Sequence, residues 1–136
     1  MLVVVHVRLR VKSKRKVKEL IVLVNGGAHS PEPVLVVDEN IARELECLTG
    51  EEVEASVADA RRKVYLVRDA VELVLLGDSG EELSKIKSHL AIHPGLEEPL
   101  ITDTTIDALS INVISFERGL WRHISDPADK VRVSPV

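Results

Sequence analysis

The sequence predicts a mostly β fold, a small closed or nearly closed barrel with one or two short helices. Apolar residues fill 45% of the 136 positions, yet the aromatic set is limited to Tyr65, Phe116 and Trp121. The core must therefore be built from Val, Leu and Ile, and β-branched side chains favour strands. Those residues recur in short runs, many at period two, bounded by polar or Gly/Pro clusters, which is the pattern of strands. The length suits one domain with a real core, with residues 1–125 forming the barrel and 126–136 a C-terminal tail or edge strand.

Val3, Val5, Val7, Leu9 and Val11 alternate with Val4, His6, Arg8, Arg10 and Lys12, as in a half-buried strand. Ser13-Lys14-Arg15-Lys16 reads as a turn, and Val17 to Val24 as a second strand that becomes continuously apolar, in the manner of a central strand. The hairpin delivers Asn25-Gly26-Gly27-Ala28-His29-Ser30 to its end. Adjacent glycines permit dihedrals and close approaches that a Cβ would block. The segment is thus either a place where main chain meets a ligand or second subunit, or a tight turn, for which Asn-Gly is a common choice. Pro31 and Pro33 keep the next residues extended. Val34 to Val37 is a short strand, Asp38 an N-cap, and Ile41, Leu45 and Leu48 the stripe of a short helix ended by Thr49-Gly50. Cys47 packs at the end of that helix.

Val53, Ala55 and Val57 alternate with polar residues, Asp59 to Lys63 is a polar tip, and Val64 to Val67 returns. Val71 to Leu76 is a further strand closed by Gly77-Asp78-Ser79-Gly80. Ser79 and Glu82 have capping-box spacing, and Leu83, Ile86 and Leu90 share a helical face, so a helix is predicted before Pro94-Gly95. Leu100-Ile101 is a very short strand, and Thr102 or Asp103 caps a turn of helix carrying Ile106 and Leu109. Ile111 to Phe116 and Leu120 to Ile124 form a last hairpin, in which Phe116 and Trp121 are expected to fill the core in preference to a dimer seam. Asp126-Pro127 leaves the fold, with Asp126 and Asp129 as solvated charges.

The net charge of −4 is unevenly spread: residues 1–20 carry seven Arg or Lys against one Glu, and the remainder is strongly acidic. A basic end of this kind suits nucleic acid, a solvated hairpin tip, or a surface pairing with the acidic remainder in an oligomer. No aromatic platform accompanies it, so nucleic acid is not the expected partner. The single Cys47 cannot form an internal disulfide and fits a reducing compartment. No run approaches the roughly 20 apolar residues of a membrane span, and the N-terminus lacks the order of a signal peptide, so a cytoplasmic protein without a membrane partner is expected. No metal or cofactor is expected either. His89 and His93 would share a helix face without a third ligand, and Gly26-Gly27 lacks the spacing of dinucleotide or phosphate loops. His29 and Ser30 are adjacent, and neighbours rarely aim side chains at each other as a nucleophilic pair requires.

Taken in order, these pieces resemble the retroviral-type aspartic proteases, particularly their small prokaryotic relatives. In that family a hairpin delivers Asp-Thr/Ser-Gly-Ala to an active-site loop, a strand, helix and hairpin flap follow, and a second motif precedes a short helix and terminal hairpin. Here Asn25, Gly26, Gly27, Ala28 and His29 stand at the signature loop, Leu100, Ile101, Thr102 and Asp103 at the second motif, and Asp59, Ala60, Arg61 and Arg62 near the flap tip. The resemblance covers residues 3–124 and implies a barrel of retroviral-protease type, a homodimer paired through the Asn25 loop, and a groove for an extended peptide or protein segment.

The sequence departs from the family where the chemistry lies. The family pairs one Asp from each half, and two such carboxyls share a proton and activate water. Asn25 replaces that Asp, and its amide does not serve as a general base. Gly26 replaces the Thr whose hydroxyl fastens the paired loops, Thr102 replaces the second motif's glycine, and no glycine lies in residues 51–76 to supply a mobile flap tip. The expectation is a non-catalytic domain that binds peptide or acts structurally. The alternative is an active aspartic endopeptidase, reached by deamidation of Asn25 or by recruiting another carboxylate such as Asp103.

Overall fold

The structure, a computed structural model, describes residues 4–47, 51–57 and 60–136; the side chains of 51, 54–57 and 60–62 stand outside that description. Ten strands and two short helices follow in the order β1 (His6–Lys12), β2 (Val17–Val24), β3 (Val34–Val37), α1 (Glu39–Glu44), β4 (Glu51–Val57), β5 (Ala60–Leu76), β6 (Glu82–Ile92), β7 (Leu100–Ile101), α2 (Asp103–Ala108), β8 (Ile111–Ser115), β9 (Leu120–His123) and β10 (Arg132–Val133). The chain is mostly β, as its valine-rich alternation predicts.

Seven strands form one sheet in the order β1-β2-β7-β3-β6-β5-β4, and β1 also pairs with β5. Six of them therefore close into a ring, with β4 attached outside it to the first half of β5. The closure depends on β7. Leu23 and Val24 pair with it in parallel, while Leu35 and Val36 pair with it antiparallel, so a two-residue strand sits between β2 and β3. Val5, Val7, Leu9 and Val11 all point inward with no exposed surface, and Leu20, Val22 and Val24 face them from β2. Leu35, Leu73, Leu75, Leu90 and Ile101 complete the interior, and Ala42 of α1 and Ile106 of α2 join the same cluster with Leu45 and Leu109, which end those helices. Each buried Val, Leu or Ile contributes about 1.5–3 kcal/mol on full burial, so the interior is chiefly aliphatic, with Trp121 the aromatic member of the cluster.

Local signals account for most elements. Asp38 caps α1 by accepting the Ile41 N–H at 2.9 Å. The helix stops at Glu44, and Glu46 takes the left-handed region at φ 57°. The expected cap at Gly50, with Leu48 and Thr49, lies outside the described residues. So does Asp59, while Ala60, Arg61 and Arg62 open β5 without described side chains. Cys47 is half-buried against the core, and burial followed by the nearby Glu46 charge pushes its thiol up, which suits packing rather than reactivity.

Four expectations are corrected. The segment predicted as a helix from Leu83 is β6, because Ile86, Ser88, Leu90 and Ile92 also share a strand face and β6 gains partners on both sides, β3 and β5. Its apparent cap is a hairpin turn, with Gly80 N–H donating to the Gly77 carbonyl at 3.0 Å and Gly80 at φ 80°. Residues 64–67 and 71–76, expected as two strands, belong to the single β5, interrupted in register between Val67 and Val71. Trp121 is buried as expected, but Phe116 is 45% exposed. Finally, Asp126 is not solvated. It grips Arg132 of β10 through two bonds of 2.8 and 2.9 Å and accepts the His123 N–H, and Arg132 lies over the Trp121 ring. The Arg132 bonds, followed by that N–H, hold its carboxyl well below the usual range. Asp129 is exposed, and β10 forms the edge of a three-stranded sheet with β9 and β8.

The basic hairpin meets acids of its own chain: Arg10 with Glu82, Lys12 with Glu72, Lys16 with Glu46 and Lys18 with Glu44. Such surface pairs contribute at most about 1 kcal/mol each, but they lower the local positive field.

Candidate functional site

The loop after β2 and the corner between β7 and α2 are built into each other. Asn25 N–H donates to the Ile101 carbonyl at 3.2 Å, and Asp103 N–H donates to the Ala28 carbonyl at 2.8 Å. Backbone thus extends the β2–β7 pairing past the strand ends. Within the loop, Ala28 N–H reaches the Asn25 carbonyl at 3.1 Å and Gly27 N–H reaches Asn25 Oδ1 at 3.1 Å. Asn-Gly-Gly is therefore a turn reinforced by the asparagine side chain. Neither glycine uses a positive φ, and a Cβ on Gly26 would meet nothing within 4 Å.

A chain of hydroxyls fixes the far end of the loop. Ser30 Oγ lies 2.6 Å from Thr102 Oγ1, which lies 2.8 Å from Thr105 Oγ1. Ser30 also donates to the Glu32 carbonyl, and Thr105 bridges both the N–H and the carbonyl of Val34. Thr102 and Thr105 are almost wholly buried. Each hydroxyl carries one proton, so three protons serve the four links between the Glu32 and Val34 carbonyls, and one of them is shared.

Asp103 is the charged fastener. His29 Nδ1 lies 2.8 Å from Oδ2, while Oδ1 accepts the N–H groups of Ser30 at 3.1 Å and Thr104 at 2.7 Å. The His29 contact, followed by the backbone N–H of Ser30, lowers the Asp103 carboxyl to about 2. The His29 side chain is otherwise exposed, and Thr104 closes the corner by donating to the Ser30 carbonyl. The side chains of His29 and Ser30 thus take different partners, Asp103 for the first and Glu32 and Thr102 for the second.

Asn25, Gly26 and Gly27 line an open hollow of about 500 Å³ together with Val4, Leu23, Val24 and Phe116. The structure therefore gathers Asn25 to Ser30 with Leu100 to Asp103, and it adds Phe116. Of the flap positions, Ala60, Arg61 and Arg62 belong to β5, where Ala60 to Leu66 pair with Glu51 to Val57 of β4.

His89 and His93 do not form a metal pair. His89 is half-buried on β6, its Nε2 is 2.9 Å from Glu32 Oε1, and its Nδ1 accepts the Asp69 N–H at 2.9 Å. Among the described residues no group of three or more His, Cys, Asp or Glu could hold a metal ion, and no helix is long and apolar enough to cross a membrane.

Sequence reasoning missed Thr105 and the place of Phe116 beside the loop, and it weighed Ser30 only as a partner of His29. Thr105 lies on the inward side of a helix carrying Ile106 and Leu109, a weak signal, whereas its contacts with Thr102 and Val34 required the tertiary pairing. In comparison with known proteins, no family model and no curated protein matches the chain.

Proposed function

We propose that the chain is a non-hydrolytic relative of the retroviral-type aspartic proteases, acting as a homodimeric domain that binds an extended peptide or serves a structural role. The observation that carries the reading is the docking of the Asn25 loop onto the β7–α2 corner, through the Asn25–Ile101 and Asp103–Ala28 backbone bonds. A hairpin, that loop, a strand and helix, a projecting hairpin, a second motif with its helix and a terminal hairpin also follow one another in the family's order.

The side chains support loss of hydrolysis. An amide at position 25 neither stores nor releases a proton near neutral pH. Asp103 is committed to His29, Ser30 and Thr104, and a carboxyl lowered to about 2 remains ionised where a shared proton is needed. Its geometry favours fastening the loop over shuttling protons. The hollow beside Asn25, with half-exposed Phe116 and the open main chain at Gly26, offers surface on which a second copy would pair. The β4–β5 hairpin would then cover an extended peptide, main chain to main chain.

The test uses freshly purified protein whose intact Asn25 is verified by mass. Sedimentation should give a dimer, and peptide libraries at acidic and neutral pH should survive the native protein but be cut by Asn25→Asp. Cleavage by the native protein would overturn the non-hydrolytic reading. A monomer at every concentration tested would overturn the pairing.

A further inference from the structure

We infer that Asn25 is a self-modification site, at which the folded loop converts an amide into a carboxylate using water alone. The inference rests on the chemistry of the turn and holds whether or not two copies pair.

The reaction needs a free backbone nitrogen next to a reachable side-chain amide. Gly26 provides the nitrogen. It is exposed, has no side chain, and its N–H donates to no acceptor among the described residues. That N–H can therefore be deprotonated without breaking a bond of the fold. Asn25 provides the electrophile. Its Oδ1 accepts the Gly27 N–H at 3.1 Å, which draws electron density from Cγ and would stabilise the negative oxygen formed on attack, in the manner of an oxyanion hole. The hydrogen-bonded ring closed by that contact contains both Asn25 Cγ and Gly26 N, so the turn keeps the reacting atoms in one small ring. The neighbouring bonds, Asn25 N–H to Ile101 and Ala28 N–H to Asn25, restrain the loop without involving either reacting atom.

The steps balance without any further reagent. A solvent base takes the Gly26 amide proton, the nitrogen attacks Asn25 Cγ, and a C–N bond forms. The side-chain nitrogen takes up a proton and leaves as ammonia, giving a five-membered succinimide. Water then adds to one of its two carbonyls and opens the ring, leaving aspartate or its isomer linked through the side chain. The net change is amide plus water to carboxylate plus ammonium, and the loop gains one negative charge.

The chain carries its own controls. Its other asparagines, Asn40 and Asn112, precede the β-branched Ile41 and Val113. Ile41 N–H is held by Asp38, and Val113 lies within β8. Neither offers a free, unhindered nitrogen.

The experiment is peptide-level mass spectrometry of the full chain incubated at neutral and mildly alkaline pH, native and in denaturant. Conversion at Asn25 is expected to rise with pH and to be no slower in the native chain than in the denatured one, while Asn40 and Asn112 stay intact. Gly26→Val, which fills open space, should suppress it. An Asn25 as durable as Asn40 and Asn112 would overturn the inference. So would native protection of Asn25 relative to the denatured chain, because reactivity would then belong to the dipeptide and not to the folded turn. The native-versus-denatured comparison needs no variant, so it stands even if Gly26→Val folds poorly.

Discussion

The loop from Asn25 to Ser30 and the segment from Asp126 to Val131 that leads into β10 are both irregular stretches anchored to strands, and they are anchored by different chemistry. The first uses main-chain bonds, three neutral hydroxyls and an exposed Asp103–His29 contact spread over several residues. The second centres on one buried pair, Asp126 with Arg132, beside which Arg122 donates to the Asp126 and Pro127 carbonyls. A distributed fastening loses little when one member is removed and leaves the Asn25 side of the loop open to solvent. A concentrated one is strong only while both partners remain, because a lone buried charge has no compensation.

The largest expected effect breaks the concentrated side. Asp126→Asn takes from the buried Arg132 guanidinium its hydrogen-bonded counter-charge and should cost about 3 kcal/mol, the low end for a broken buried pair because the Glu81 and Asp78 charges remain nearby. Chemical denaturation would measure it. Loss within a few tenths of a kcal/mol would show that the segment carries little of the fold. Next, Thr105→Val removes the acceptor for Val34 N–H and the inner end of the hydroxyl chain, for about 2 kcal/mol. A near-neutral result would mean that β3 and its neighbours readjust at no cost.

The smallest effect sharpens the comparison through pH. The Asp103 carboxyl is depressed in the folded chain, so its stabilising contribution is complete above the unfolded value of about 3.9. That contribution fades as pH falls toward about 2. Asp103→Asn should therefore lower the unfolding midpoint slightly at neutral pH, with the gap to the native chain closing as pH falls from about 3.9 toward about 2. Carbon NMR of the native carboxyl should place its titration at the low end of that window, and a midpoint near 3.9 would remove Asp103 from the fastening.

Elements whose cause is local were legible in the sequence. The β1–β2 hairpin follows from alternation, and α1 from the Asp38 cap. Bringing 25–29 and 100–103 together was implied by the family resemblance, which rests on the order and spacing of the segments. β6 was misread because Leu83, Ile86 and Leu90 fit a helix while Ile86, Leu90 and Ile92 fit a strand, and only the flanking strands decide between those periods. Asp126 looked like a tail charge because its partner lies beyond a Pro-containing turn. The Ser30–Thr102–Thr105 chain was invisible for a stronger reason: its members lie 72 residues apart in sequence and meet only once the ring has closed.

That closure has a kinetic consequence. β2 and β3 lie close in sequence but do not pair with each other; they are joined through Leu100 and Ile101, which the chain reaches more than sixty residues after β3. The ring cannot be completed from its N-terminal half, and the entropy of that long loop must be spent before two residues return their few hydrogen bonds. Until then the facing edges of β2 and β3 are bare strands, able to accept any extended segment in place of β7. The time between the synthesis of β3 and the arrival of β7 is when the nascent chain is most exposed to mispairing.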